Sequence, residues 1–188
     1  MAAHGFKPMR HLAGGTIRTS EYTIAIDYDT AIYTGDPVKL VAAGGVEIAA
    51  AGAIVTGVFQ GVNYRDGDGD VKFSAYWPGA VANATDVVAL VIDDPFVTYS
   101  VFDDADSDFL TAADIGGCGN HVAGTGSAKT GVSGYMLDTS DCSNAQAGWK
   151  LIRKVNRPGN AYGAANDSQV EMEVWLNEPH YAPFTAGI

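Results

Sequence analysis

The chain has 188 residues, of which 47% are hydrophobic and 18% charged, with a formal net charge of −11. A chain of this size and apolarity can bury about 70% of its unfolded surface, which excludes wholesale disorder. The acidic balance argues against nucleic acid, whose phosphates it would repel, and no apolar run approaches the ~20 residues of a membrane-spanning helix.

The chain opens with "MAAHGFKPMRHLAGG", which has charges but no apolar stretch behind them and so does not read as a secretory signal. A soluble intracellular product is expected. Lys7, Arg10 and Arg18 precede the first acid, Glu21. Residues 1–20 therefore read as an extended basic arm, closed by glycines, ahead of a single β domain over 21–188. Strands are expected at Tyr22–Ile26, Val38–Val41, Ile54–Tyr64, Val71–Tyr76, Val87–Ile92, Val97–Phe102, Trp149–Val155 and Val170–Leu176. Clusters of Gly, Pro, Asn and Asp break these runs at short intervals. That pattern implies an all-β fold, mainly an antiparallel sandwich or barrel, with at most one short helix.

Between the third and fourth strands lies "YRDGDGDVKF". Asp66, Asp68 and Asp70 match the first three ligand positions of a helix-loop-helix calcium loop, but Val71 stands where that loop needs glycine and Trp77 where it needs glutamate. Strand formers flank the stretch on both sides, so it reads as a hairpin tip. From Lys72 to Lys129 there are eight acids and no base. Within that run "DDADSDF" also departs from the calcium pattern and reads as a turn or helix start. The adjoining "DSDFLTAADIGG" predicts about two helical turns capped by Asp106 or Asp108 and stopped by Gly116.

From Gly116 to Gly134 the chain is glycine-rich and nearly free of large apolar residues, which reads as a long exposed loop, functional or mobile. Its "AGTGSAKTG" lacks the glycines a phosphate-binding loop requires, with Ala128 before the lysine and Ala123 five residues earlier. Cys118 and Cys142 have neither CxxC spacing nor a histidine pair beside them, and are expected to be free thiols.

Four bases, Lys150, Arg153, Lys154 and Arg157, fall within eight residues. The last strand alternates strictly: Val170, Met172, Val174 and Leu176 share one face, and Glu171, Glu173 and Trp175 the other. Residues 177–188 read as an aromatic tail, with Tyr181 and Phe184 set around Pro179 and Pro183, which either folds back on the core or docks on a neighbouring subunit. His4, His11, His121 and His180 show no metal-ligand spacing, and no nucleophile elbow is present. No catalytic residue, metal ligand or cofactor is assigned.

The runs "IYTGDPVKLVAAGG", "GAIVTGVFQGVNYRD" followed by "FSAYWPG", "VALVIDDPFVTYSV" and the closing "VEMEVWLNEP…TAGI" resemble the head-decoration, or cement, proteins of tailed bacteriophages over nearly the whole chain. The resemblance implies a mainly β structural virion protein, made in the host cytoplasm and seated on the outer capsid surface. Such proteins are often trimers, clamp neighbouring capsomers after the shell expands, and need no cofactor. It carries over a role but no set of functional positions. On that role, Phe6, Lys7, Arg10, His11 and Arg18 of the arm would lie against an acidic patch of the major capsid protein or an adjacent copy. Trp175, His180, Tyr181 and Phe184 would anchor subunits in a homotrimer. The rival readings are a carbohydrate- or receptor-binding module stacking on Tyr76, Trp77 and Trp175, and a small hydrolase with a scattered site.

Overall fold

In the computed structural model the described residues are 3–79, 81–106, 110–140, 142, 147–162 and 169–177. Among them the chain forms fifteen strands: β1 Lys7–His11, β2 Ser20–Thr23, β3 Ile32–Tyr33, β4 Pro37–Leu40, β5 Val46–Ile48, β6 Gly57–Arg65, β7 Val71–Ser74, β8 Tyr76–Trp77, β9 Thr85–Ile92, β10 Val97–Phe102, β11 Cys118–Gly119, β12 His121–Val122, β13 Met136–Leu137, β14 Trp149–Lys154 and β15 Glu171–Leu176. The fold is all-β, as the alternation implies, with antiparallel sheets that stay open and close no barrel. No helix among the described residues is long and apolar enough to cross a membrane.

A five-stranded sheet runs β1-β10-β15-β14-β11, and a six-stranded sheet runs β2-β9-β6-β4-β5 with β7 added to β6. Alternation along the strands builds two cores. The inner face of the five-stranded sheet supplies Tyr99, Val101, Trp149, Leu151, Met172 and Val174, which pack with Val58 and Ile92 of the six-stranded sheet. The opposite face of that second sheet turns Phe59, Val62, Val87, Ala89 and Val91 into another core, closed by Ile32, Val38 and Trp77.

Part of the expected arm belongs to the first core. Phe6 is wholly buried and stacks on Trp149 at 3.9 Å between ring centroids. The residues after it form β1, an edge strand antiparallel to β10 with a bulge between Pro8 and Arg10. An edge tolerates Pro8, which has no N–H to contribute to a ladder. The bulge shifts the side-chain phase, so the segment shows no clean alternation in the sequence.

The glycine-rich region is not an exposed loop throughout. Cys118, Gly119, His121, Ser133 and Gly134 are buried. Gly124 and Gly134 pass so closely that a Cβ on Gly124 would sit 1.9 Å from the Gly134 carbonyl oxygen. Here glycine permits two backbones to cross. The expected helix is a single 3-10 turn, Ala112–Asp114, capped by Thr111, with the Asp114 carboxylate returning to the Thr111 N–H. Asp106 is not its cap, and Asp108 lies outside the described residues. The tail beyond Asn177, with His180, Tyr181 and Phe184, also lies outside them.

Candidate contact surface

The outer face of the five-stranded sheet gathers charge from three strands. Residues directly opposite one another in a ladder share a face, so the register defines two cross-strand rows. Lys7, Ser100, Glu173 and Arg153 form one; Arg10, Thr98, Trp175 and Lys150 form the other. Glu173 has no exposed surface, because Arg10 and Arg153 fold over it, Arg10 Nε donating to Oε1 at 2.7 Å and Arg153 Nε to Oε2 at 2.5 Å. Burial pushes the Glu173 pKa up, but contacts with Arg10, Thr98 and Arg153 outweigh it and hold the carboxyl below its ordinary value.

Further along the face, Arg157 pairs with Glu171 at 2.7 Å and lies over the Phe102 ring, while His4 approaches the other Glu171 oxygen at 3.4 Å. Five cations (Lys7, Arg10, Lys150, Arg153 and Arg157) thus meet two acids (Glu171 and Glu173), a surplus of +3. The remainder of the −11 chain then carries −14. Trp175 is half-buried here, its indole N–H donating to the Pro95 carbonyl.

Of the residues expected to make contacts, the structure brings Lys7, Arg10 and Trp175 onto this one face. Phe6 points away into the core. His11 is committed to its own chain: Nδ1 accepts from the backbone N–H groups of Ala13 and Gly15, and Nε2 donates to Asp94 at 3.0 Å. Arg18 is exposed on the connection from β1 to β2. The partners Lys150, Arg153, Glu173 and Arg157 escape a linear reading. Their signal is the juxtaposition of an acidic alternating strand, β15, with a basic one, β14.

The other sequence candidates resolve locally. Asp66 caps the β6–β7 hairpin: Oδ1 accepts from the N–H groups of Asp68 and Asp70, and Oδ2 pairs with Lys72. The Lys72 hydrogen bond is the main reason its pKa is lowered, and the carboxylate is spent on the turn rather than on a metal. One oxygen each from Asp104, Asp106 and Asp138 lies within 4.8 Å of the others, with the Thr139 hydroxyl 2.7 Å from Asp106 and 3.0 Å from Asp104. Three carboxylates fall short of the about six to eight oxygens calcium takes, so the cluster alone does not define a metal site. His121 is a core residue, its Nε2–H donating to Ala50 and its Nδ1 accepting from Trp149, and burial lowers its pKa. Cys118 and Cys142 are free and buried, and burial pushes the Cys142 thiol up to about 12.

Trp77 has no exposed surface, donates to the Tyr28 carbonyl and meets Tyr64 edge-on. Tyr76 stacks on Tyr33, and Trp175 belongs to the other sheet, so these three rings build no stacking platform. No family model matches the chain, and neither curated proteins nor solved structures give a match.

Proposed function

We propose that this chain is a structural virion protein that decorates the outside of a tailed-phage capsid and stabilises the shell by bridging neighbouring capsomers. The observation that carries the reading is the +3 face on a chain of net charge −11, held on a rigid sheet by the Glu173 and Glu171 ion pairs. A preformed cationic face with an aromatic residue in it suits docking on an acidic protein surface. The sequence resemblance to cement proteins names that surface as the major capsid protein. Assembly as a homotrimer belongs to the same proposal, because linked copies multiply modest contacts into avidity by roughly 10²–10⁴. The role assigns no catalytic residue and no cofactor. The burial of Trp77 counts against the carbohydrate-binding alternative.

The test is to add purified protein to empty expanded heads and to measure occupancy and the melting temperature of the shell. Binding that raises the melting temperature, and that weakens in a Lys7→Glu/Lys150→Glu variant, supports the reading. Absence of the protein from purified particles, or heads whose melting is unmoved at saturating protein, overturns it.

A further inference from the structure

Two peptide bonds of the chain join an aspartate to a proline, Asp36–Pro37 and Asp94–Pro95. Such a bond is chemically weak. Proline's tertiary amide carries no N–H, so its nitrogen cannot attack the preceding carboxyl to form an imide. The carboxyl is left to attack its own carbonyl carbon, where nucleophile and target already belong to one residue.

The fold treats the two bonds differently. The Asp36 N–H closes a turn onto the Tyr33 carbonyl, with Gly35 at φ +96°. Phe59 clamps this turn: its carbonyl accepts from Gly35, and its N–H donates to the Asp36 carbonyl oxygen at 2.9 Å. That N–H sits where negative charge would develop during attack. Asp36 is 1% exposed; its Oδ2 accepts from the Tyr33 N–H, and Oδ1 has no hydrogen bond. Around it lie the Ser133 hydroxyl and the Tyr135 phenol, which burial pushes up to about 12, so no cation holds the carboxyl ionised. Burial raises the Asp36 pKa to about 6, which Ser133 and the Tyr33 N–H offset only in part. The Asp94 carboxyl has both oxygens engaged, Oδ1 by the Phe96 N–H at 2.8 Å and Oδ2 by His11 at 3.0 Å.

The geometry points to self-cleavage of the folded chain between Asp36 and Pro37. Oδ1 bonds to the Asp36 carbonyl carbon, its proton passes to the Pro37 nitrogen, and the C–N bond breaks. The products are a cyclic anhydride on Asp36 and a free amine on Pro37. One water then opens the anhydride and leaves two carboxyls on Asp36, with nothing oxidised or reduced. A cavity of about 380 Å³ beside Thr34, Gly35 and Gln60 offers that water its entry. Strands β1, β2 and β3 fall in the first fragment and pair with β10, β9 and β8 of the second. The nicked protein therefore stays assembled. None of this rests on the capsid reading.

The test is intact-mass spectrometry, after denaturation, of full-length protein held at about pH 5, at about pH 7 and, in parallel, in urea. The folded protein should yield residues 1–36 and 37–188, with masses that sum to the parent plus one water, while its native size is unchanged. Cleavage should run about tenfold faster at pH 5 than at pH 7, the ratio of protonated carboxyl for a pKa of about 6. Asp36→Asn, which keeps the side chain's shape without its acid, should stop the cut, with a thermal melt confirming the fold. In urea the clamp is gone, and the cut at Asp36–Pro37 should slow to the rate at Asp94–Pro95. Absence of the 1–36 fragment from folded protein overturns the proposal. So does a cut no faster in the folded protein than in urea, or one undiminished in Asp36→Asn, which would assign it to a protease.

Discussion

At the level of single residues, the buried carboxyl groups set opposing pH dependences. Asp36 is almost fully buried, takes the Tyr33 N–H on Oδ2 at 2.7 Å and leaves Oδ1 without a hydrogen bond. Burial raises its pKa from 3.8 to about 6, and burial raises Asp103 to about 6 as well. A folded-state pKa above the unfolded value means that each group favours the fold most below its unfolded pKa and loses that contribution as pH rises through about 6. Glu173 has the opposite sign: its pKa is lowered, so its contribution is present above the unfolded value of 4.5 and is lost as pH falls through the folded pKa. The melting temperature should therefore rise on titration from pH 7 toward pH 5, then fall in stronger acid. Asp36→Asn should flatten the limb between about pH 4 and 6 and melt no lower than wild type at pH 7.5. A variant that keeps the full wild-type limb would assign the effect to Asp103. Glu173→Gln, which leaves Arg10 and Arg153 without their shared anion, should cost about 1–3 kcal/mol in urea unfolding at pH 7.

For whole elements, the sequence was most legible where alternation was long. Each of the eight expected strands overlaps an observed one, and Val97–Phe102 matches end to end. But Tyr22–Ile26 overlaps β2 only at Tyr22 and Thr23, and Val71–Tyr76 is broken at Ala75 into β7 and the start of β8, which lie in different sheets. Val170, just ahead of β15, and Met172, Val174 and Leu176 within it are all buried. The two-residue strands β3, β8, β11, β12 and β13 could not be read, since two residues carry no period. The glycine tract was misread because composition does not distinguish an open loop from backbones in contact. Gly124→Ala should therefore destabilise the fold by about 1–3 kcal/mol, as overpacking does, where an open loop would tolerate it. The contact face was half legible: basic and acidic clusters were visible, but their meeting on one sheet depends on strand order. The bulged strand β1 was hidden altogether. Its anchor makes a second test, because Phe6→Ala should cost about 3–5 kcal/mol by emptying the seat beside Trp149. For the same reason, deleting residues 1–20 removes a core side chain and an edge strand, and should unfold the protein rather than merely disarm it.

Across the whole molecule, the separation of charge matters more than its total. The ion pairs over Glu171 and Glu173 satisfy those acids internally, while Lys7 and Lys150 add charge to the same face. Neither lysine has an ion pair among the described residues, so reversing them changes the face without opening the Glu173 site. Contacts of this kind are screened within about 8 Å at physiological salt, whereas the partly buried arginine pairs beneath are screened far less. Salt should therefore separate binding from folding. Between low and moderate ionic strength, occupancy on expanded heads should drop steeply while the melting temperature of the free protein scarcely moves. The Lys7→Glu/Lys150→Glu variant should bind weakly at every salt concentration and show a much shallower salt dependence, because the charges that generate it are gone. Cosedimentation with heads across a salt series measures both slopes. Parallel slopes for wild type and variant would remove these lysines from the contact and move the binding surface off this sheet.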